Sequence, residues 1–188
     1  TVNIDSSAST YNSSFSASIS FSEIVTGFDV NDISISNATI SNFSGSGQDY
    51  SVDVTPISEG DVSLNIASDV AQDAAGNLNT SAAQLSISYD VTLPTVSISG
   101  PSIYQNRSFS VSVIFSEVVT GFSLSDLQVS NADLINFNSV SGLEYNFTVN
   151  PVNNGSVTLD IPSGVVQDEA GNLNEASNQL NTTNYVLT

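Results

Sequence analysis

The sequence contains no cysteine, methionine, tryptophan or histidine, and Arg107 is its one basic residue. Without cysteine, no disulfide can stabilise the fold. Without histidine and cysteine, the usual ligands of zinc, copper and iron–sulfur clusters are missing. Histidine, lysine and cysteine are also the side chains that most often act as general bases and nucleophiles in enzymes. We therefore expect that the chain is not an enzyme.

Acidic residues outnumber basic ones nineteen to one, which gives a formal net charge of −18. Such a surface repels nucleic acid and anionic membranes and attracts cations. Acidic residues also keep a polar surface soluble, and this explanation covers most of the nineteen. The acids that call for another explanation are those that recur at the same positions in both halves of the sequence.

No apolar run is long enough to span a bilayer, and no signal peptide is recognisable. We therefore expect no direct insertion into a membrane. Because the chain lacks methionine, we expect a fragment whose export signal or anchor lies elsewhere. A cysteine-free, acidic chain rich in serine and asparagine would suit a secreted bacterial surface protein that is stabilised by something other than disulfides.

Two motifs each occur twice. Phe-Ser-Glu-Ile-Val-Thr-Gly-Phe at 21–28 returns with one change at 115–122, and Gln-Asp-Ala-Ala-Gly-Asn-Leu-Asn at 72–79 returns with one change at 167–174. A repeat of this length is a whole domain and is too long for a solenoid unit.

The repeat predicts two domains, 1–90 and 91–188, each of a size that suits one small sandwich. The junction Asp-Val-Thr-Leu-Pro-Thr begins at Asp90 and contains Pro94 but no glycine. A linker this short and stiff is expected to restrict the angle between the domains.

Large apolar and small polar residues alternate through most of both halves, as in Phe-Ser-Ala-Ser-Ile-Ser-Phe at 15–21. A period of two indicates strands with one buried face. The sequence therefore predicts an all-β chain of two tandem immunoglobulin-like β-sandwich domains with about seven strands each. The predicted strands are 2–4, 15–22, 29–36, 38–43, 50–55, 61–66 and 85–89, then 96–98, 109–116, 123–130, 132–137, 145–150, 156–161 and 180–186.

Three smaller predictions concern single residues. Asp32 and Asp126 recur where a strand begins and are assigned a turn or capping role. Asp69 corresponds to a glycine in the second half and is interpreted as incidental. Four aromatic residues are expected to anchor the cores: Phe28, Tyr50, Phe122 and Tyr145.

The two repeated motifs and the junction Asp-x-Thr-x-Pro-Thr together resemble the bacterial immunoglobulin-like repeats of very large surface adhesins, over essentially the whole chain, twice. The resemblance implies a β-sandwich, secretion to the bacterial cell surface, and repetition into a long stalk that holds an adhesive tip away from the cell. It also implies calcium at domain junctions, since many related repeats bind it there.

In an immunoglobulin-like sandwich, the two loops that carry the motifs lie at the pole where the chain enters the domain. For the second domain, this topology is expected to bring together Asp90, Glu117, Asp168 and Asn172. For the first domain, the same pole presents Glu23, Asp73 and Asn77, where an acid from a preceding domain would be the missing partner.

Calcium is the cation that these hard oxygen ligands favour, because it takes six to eight oxygens at about 2.3–2.6 Å. Magnesium also accepts carboxylates but keeps its waters in a compact octahedron. The competing interpretation is that Asp-x-Ala-Gly-Asn is only a turn whose polar side chains bond their own backbone.

The predicted function is a structural extender, a monomeric rod in which calcium at each junction makes neighbouring repeats of the same chain rigid. The alternative is an immunoglobulin-like module that binds a glycan or a protein, with the variable loops at 44–48 and 138–143 as the place where it would bind.

Overall fold

The computed structural model describes residues 1–105 and 107–184 and forms two compact units that separate after Val91. This division falls one residue after the boundary expected from the repeat. No helix in the described part of the chain has both the length and the apolar character to cross a membrane. Both units are built almost entirely from strands, and the all-β prediction is confirmed.

The first unit is a sandwich of two four-stranded sheets. Its strands are β1 (Val2–Ser6), β2 (Thr10–Tyr11), β3 (Phe15–Phe21), β4 (Ile33–Ser36), β5 (Ala38–Ser46), β6 (Asp49–Pro56), β7 (Gly60–Ile66) and β8 (Leu85–Tyr89). The strand orders are β1-β3-β6-β5 in one sheet and β2-β8-β7-β4 in the other. Each neighbouring pair is antiparallel, except that β2 runs parallel to β8.

The second unit has the strands β9 (Val96–Ser99), β10 (Ile103–Tyr104), β11 (Phe109–Phe115), β12 (Gln128–Ser130), β13 (Ala132–Ser139), β14 (Glu144–Pro151), β15 (Val157–Asp160) and β16 (Leu180–Asn184). It repeats the topology of the first unit, with sheets ordered β9-β11-β14-β13 and β10-β16-β15-β12. The end of its last predicted strand, residues 185 and 186, lies outside the described residues.

The alternating sequence pattern places one face of each main strand in the core. Along β3 and β6, buried residues alternate with exposed or half-buried ones. The inward side chains of both sheets meet in one apolar cluster in each unit, such as Ile19 from β3 and Leu64 from β7 in the first. Burial of this apolar surface is the main force that holds each sandwich together.

The four aromatic residues predicted to anchor the cores are buried in ring clusters, as expected. Phe28 contacts Tyr50 edge to face, with ring centroids 5.0 Å apart, and Phe122 contacts Tyr145 in the same way at 4.9 Å. Edge-to-face contacts of this kind suit the charge distribution of aromatic rings and add to the free energy of burial.

The prediction was wrong about where two strands begin, those predicted over 29–36 and 123–130, which correspond to β4 and β12. A short 3-10 helix occupies Val30–Asp32 and Leu124–Asp126, and the strand begins only after it. The Asp32 carboxylate accepts a hydrogen bond from the Asp29 amide at 2.8 Å, and Asp126 does the same for Ser123 at 2.8 Å. The capping role predicted for Asp32 and Asp126 is therefore confirmed.

In the part of the chain that the structure describes, each unit has eight strands where about seven were expected. The additional strands are the two-residue β2 and β10, which arise because the chain leaves one sheet and joins the other before β3 or β11. The strand β5 also continues to Ser46, three residues beyond its predicted end. A bulge between Ser41 and Ser44 interrupts its pairing with β6, and the pairing then resumes in a shifted register.

Candidate metal centre

The two repeated motifs are adjacent in space in each unit. In the first, Thr26 and Gln72 exchange backbone hydrogen bonds of 2.8 and 3.0 Å. In the second, the Thr120 amide donates to the Gln167 carbonyl at 2.9 Å. This bridge holds the loop after β3 or β11 against the loop that precedes β8 or β16. The same bridge therefore joins the two motifs in both units.

The second motif of the first unit is a tight turn closed by its own polar side chains. The Asp73 carboxylate accepts backbone hydrogen bonds from Ala75 at 2.8 Å and Asn77 at 2.9 Å. It also accepts one from the Asn77 side-chain amide at 2.8 Å. Gly76 has a φ of 86°, a conformation that glycine adopts without strain. The bonds expected of a simple turn are therefore present.

The second unit builds the same turn in a more buried setting. The Asp168 carboxylate accepts from the Asn172 backbone amide at 2.8 Å and from its side-chain amide at 2.9 Å. Asp168 is 5% exposed and Asn172 is 7% exposed, whereas Asn77 in the first unit is exposed. These bonds use part of the hydrogen-bonding capacity of each carboxylate and leave further lone pairs for another partner.

The last asparagine of the same motif has a structural role that the sequence analysis missed. The Asn174 side chain is 2% exposed and accepts from the amides of Val165 and Val166 at 2.9 and 3.0 Å. It donates to the carbonyls of Pro162 and Glu175 at 2.9 and 2.7 Å. We call this arrangement the asparagine clamp.

Asn79 forms the same clamp in the first unit, with the amides of Val70 and Ala71 and the carbonyls of Ala67 and Thr80 as its partners. The available signal was the recurrence of this asparagine at the end of both copies of the motif.

Three of the predicted ligands lie together. The carboxylates of Asp90, Glu117 and Asp168 each offer an oxygen atom, and these oxygens lie within 4.8 Å of one another. Asp90 follows β8, Glu117 follows β11, and Asp168 begins the buried turn. We call these residues the acidic triad. Asn172 contacts the triad through its hydrogen bonds to Asp168.

The donor set of the acidic triad suits calcium. Two oxygens bound to one calcium ion at about 2.3–2.6 Å lie at most about 5 Å apart. The separations within the triad fall inside that limit. All three donors are hard carboxylate oxygens, which calcium prefers to the nitrogen and sulfur ligands of zinc or copper.

The first unit presents a smaller set of the predicted ligands. Glu23, Asp73 and Asn77 line a cavity of about 120 Å³ together with Thr1. Glu23 and Asn77 are exposed and Asp73 is half-buried. Of the three predicted ligands at this pole, Glu23 and Asp73 offer carboxylates and Asn77 offers an amide.

The turn lowers the pKa of Asp73 below its ordinary value of 3.8, mainly because the Asn77 side-chain amide donates to the charged carboxylate. This bonding stabilises the folded state at pH values above the ordinary pKa. The contribution is lost as the pH falls through the lowered pKa of the folded chain. We expect Asn77→Ala to raise the pKa of Asp73 towards 3.8, as measured by an NMR titration of its carboxyl carbon. Leu78→Ala is the control, and an unchanged pKa in Asn77→Ala would contradict this cause.

The sequence matches the family model described as the bacterial Ig-like domain twice, over residues 1–89 and 90–185. The chain therefore belongs to this family and consists of two tandem copies of its domain, as the resemblance implied. No curated protein matches the sequence.

Several solved structures are similar to the chain at low identity. Invasin, a bacterial integrin-binding protein, is 9% identical with a TM-score of 0.46 over 99% of this chain and 40% of its own. FdeC, an Escherichia coli adhesin, is 13% identical with a TM-score of 0.46 over 97% of this chain and 62% of its own. InvD of Yersinia pseudotuberculosis is 10% identical with a TM-score of 0.43 over 100% of this chain and 57% of its own. The chain thus spans between 40% and 62% of these proteins.

Proposed function

We propose that the chain is a pair of structural extender repeats from the stalk of a bacterial surface adhesin, and that calcium at the acidic triad stabilises them. The observation that supports this most directly is the convergence of three carboxylates from segments far apart in the sequence, within 4.8 Å of one another. Membership of the bacterial Ig-like family supports the repeat architecture. Location at the cell surface is part of the same proposal.

The charge balance of the chain favours a cation at the triad. Two unit charges about 5 Å apart repel by on the order of 3 kcal/mol at the effective dielectric constant of about 20 that describes protein sites. The chain has one basic residue against nineteen acidic ones, so its own side chains supply little compensation. A divalent ion would turn this repulsion into attraction, and it would bind the folded chain in preference to the unfolded one.

Calcium is expected to raise the melting temperature of the chain. Calcium at about 100 times its dissociation constant adds about 2.7 kcal/mol to the free energy of unfolding. For a domain of this size, that corresponds to a shift on the order of 10 °C. Calorimetry of the full chain with calcium and with a chelator measures the effect.

Two variants of the full chain test the assignment of the ligands. Glu117→Gln removes one carboxylate of the triad and should reduce the calcium-dependent shift. Asp133→Asn, at an exposed position in β13, removes the same charge elsewhere and should leave the shift intact. Equal calcium affinity and stoichiometry in the two variants would refute the triad as the site.

The extender role is tested separately by small-angle scattering. We propose that bound calcium restrains the segment that carries Asp90, so that a chelator should change the scattering profile, and that Asp90→Ala should mimic the chelator. Calcium that raises the melting temperature without altering the profile would support a metal site and contradict the rigid stalk.

The alternative, a module that binds a glycan or a protein, stays a prediction. The buried ring clusters that contain Tyr50 and Tyr145 use these aromatic side chains for packing and so do not favour it.

A further inference from the structure

The loop between β14 and β15 contains Asn154 followed by Gly155, and both residues are exposed. In an asparagine–glycine pair, no side chain on the second residue hinders its backbone nitrogen from reaching the asparagine side chain. Glycine also allows the chain the widest range of conformations in which the two atoms can approach. The corresponding loop of the first unit reads Ser58-Glu59-Gly60 and has no asparagine at this position.

We infer that Asn154 is a site of spontaneous backbone-assisted deamidation, a chemical modification confined to the second repeat. The Gly155 backbone nitrogen attacks Cγ of Asn154, and a bond forms between them. The bond from Cγ to Nδ2 breaks, and ammonia leaves with the proton that the Gly155 nitrogen gives up. The product is a five-membered succinimide ring.

Water then opens the ring at one of its two carbonyl carbons. Attack at Cγ gives aspartate with the original backbone. Attack at the backbone carbonyl carbon gives isoaspartate, in which the chain runs through the former side chain and is one methylene longer. The overall reaction consumes one water, releases one ammonia, and needs neither an oxidant nor a reductant.

Isoaspartate at position 154 is expected to disturb the loop, because the side chain of Asn131 forms hydrogen bonds on both sides of the reactive pair. The Asn131 side chain donates to the carbonyls of Asn153 at 3.0 Å and Ser156 at 3.3 Å, and accepts from the Asn153 amide at 3.0 Å. The Tyr104 hydroxyl also donates to the Gly155 carbonyl at 2.7 Å. An added methylene between these anchor points cannot leave all of the bonds in place.

Asn37 holds the matching loop of the first unit with the same pattern, donating to the carbonyls of Ser58 at 2.7 Å and Asp61 at 3.3 Å. The two loops therefore share their anchoring and differ in the reactive pair. Because Glu59 occupies the position of Asn154, the variant Asn154→Glu should be accepted by the loop while removing the reaction.

The test is to incubate the full chain in warm, mildly alkaline buffer and to digest it with a glutamate-specific protease. Cleavage after Glu144 and Glu169 releases the segment that contains Asn154. We expect an amide-to-acid mass change at Asn154, with isoaspartate detected by an isoaspartyl methyltransferase. The change should develop several-fold faster than at the asparagine–serine pairs that begin at Asn12 and Asn138.

The variant Asn154→Glu should give no isoaspartate signal from this segment. In a second measurement, the aged wild-type chain should show faster hydrogen exchange in the loop than the fresh wild-type chain. The proposal would be overturned if Asn154 kept its amide in the folded chain, including the case in which it reacted only in urea. It would also be overturned if Asn154 reacted no faster than Asn12 and Asn138.

Discussion

Asn174→Ala should destabilise the second unit by about 3 kcal/mol or more, since a buried polar group left without a partner costs about 1–3 kcal/mol and the substitution leaves several. The amides of Val165 and Val166 lose their acceptor, and the carbonyls of Pro162 and Glu175 lose their donor. The asparagine is 2% exposed, so water does not replace these bonds without opening the loop.

Calorimetry of the full chain, with hydrogen exchange to identify which unit has been affected, measures this loss. Asn79→Ala should produce the same effect in the first unit, where the clamp also bonds to two backbone amides and two backbone carbonyls. The neighbouring Leu173→Ala is the control, because Leu173 is 50% exposed and its loss should cost little. A loss of stability in Asn174→Ala no larger than in Leu173→Ala would contradict the asparagine clamp.

Asp69, which the sequence analysis interpreted as incidental because Gly164 takes its place in the second unit, shares a backbone conformation with that glycine. The amide of each donates to the clamp asparagine's carbonyl, at 3.1 and 3.0 Å. Both residues have positive φ, 67° and 76°. Glycine and aspartate are among the residues that tolerate this region. The two turns therefore have the same backbone geometry although the residues at this position differ.

The strands and their inward faces could be predicted because successive side chains of a strand point to opposite faces of the sheet. A strand with one buried face therefore alternates apolar and polar residues, and this alternation can be read directly from the sequence. The start of β4 could not be predicted in this way. The residues before it form a 3-10 helix, and the side chains of Asp29 and Asp32 accept hydrogen bonds from backbone amides of this same short segment. Such local bonds compete with strand pairing and leave no mark in the hydrophobic pattern.

The continuation of β5 was missed for a related reason. Asn42 adopts a φ of 52° and donates its side-chain amide to Asp53 at 2.8 Å, which supports the bulge and allows pairing to resume. In the second unit, Asn136 has a φ of 54° at the matching bulge. Nothing in a pattern of apolar residues distinguishes an asparagine in the left-handed region from one that ends a strand.

The convergence of the acidic triad could be predicted from topology, because the sequence assigns the two motifs to loops at one pole of the sandwich. Asp168 has a role in both the turn and the triad, because it accepts two hydrogen bonds from Asn172 and also offers an oxygen to the triad.

Thr182→Val should stabilise the second unit by about 1–2 kcal/mol, because it removes a buried hydroxyl without changing the size of the side chain. Thr182 in β16 is fully buried, and its hydroxyl has no hydrogen-bond partner among the described residues. It pairs with Val157, whereas in the first unit Ile87 pairs with Val62 at the matching position. The second unit thus has a polar atom where its counterpart is wholly apolar.

The expected gain corresponds to a rise in melting temperature of about 4–8 °C for each kcal/mol in a domain of this size. Thr183→Val, at the exposed neighbouring position, is the matched control and should change stability little. The reciprocal Ile87→Thr should cost the first unit about 2–4 kcal/mol, because it removes buried apolar volume and adds the same unsatisfied hydroxyl. A Thr182→Val chain that melts at or below the wild-type temperature would contradict the prediction that the buried hydroxyl destabilises the second unit.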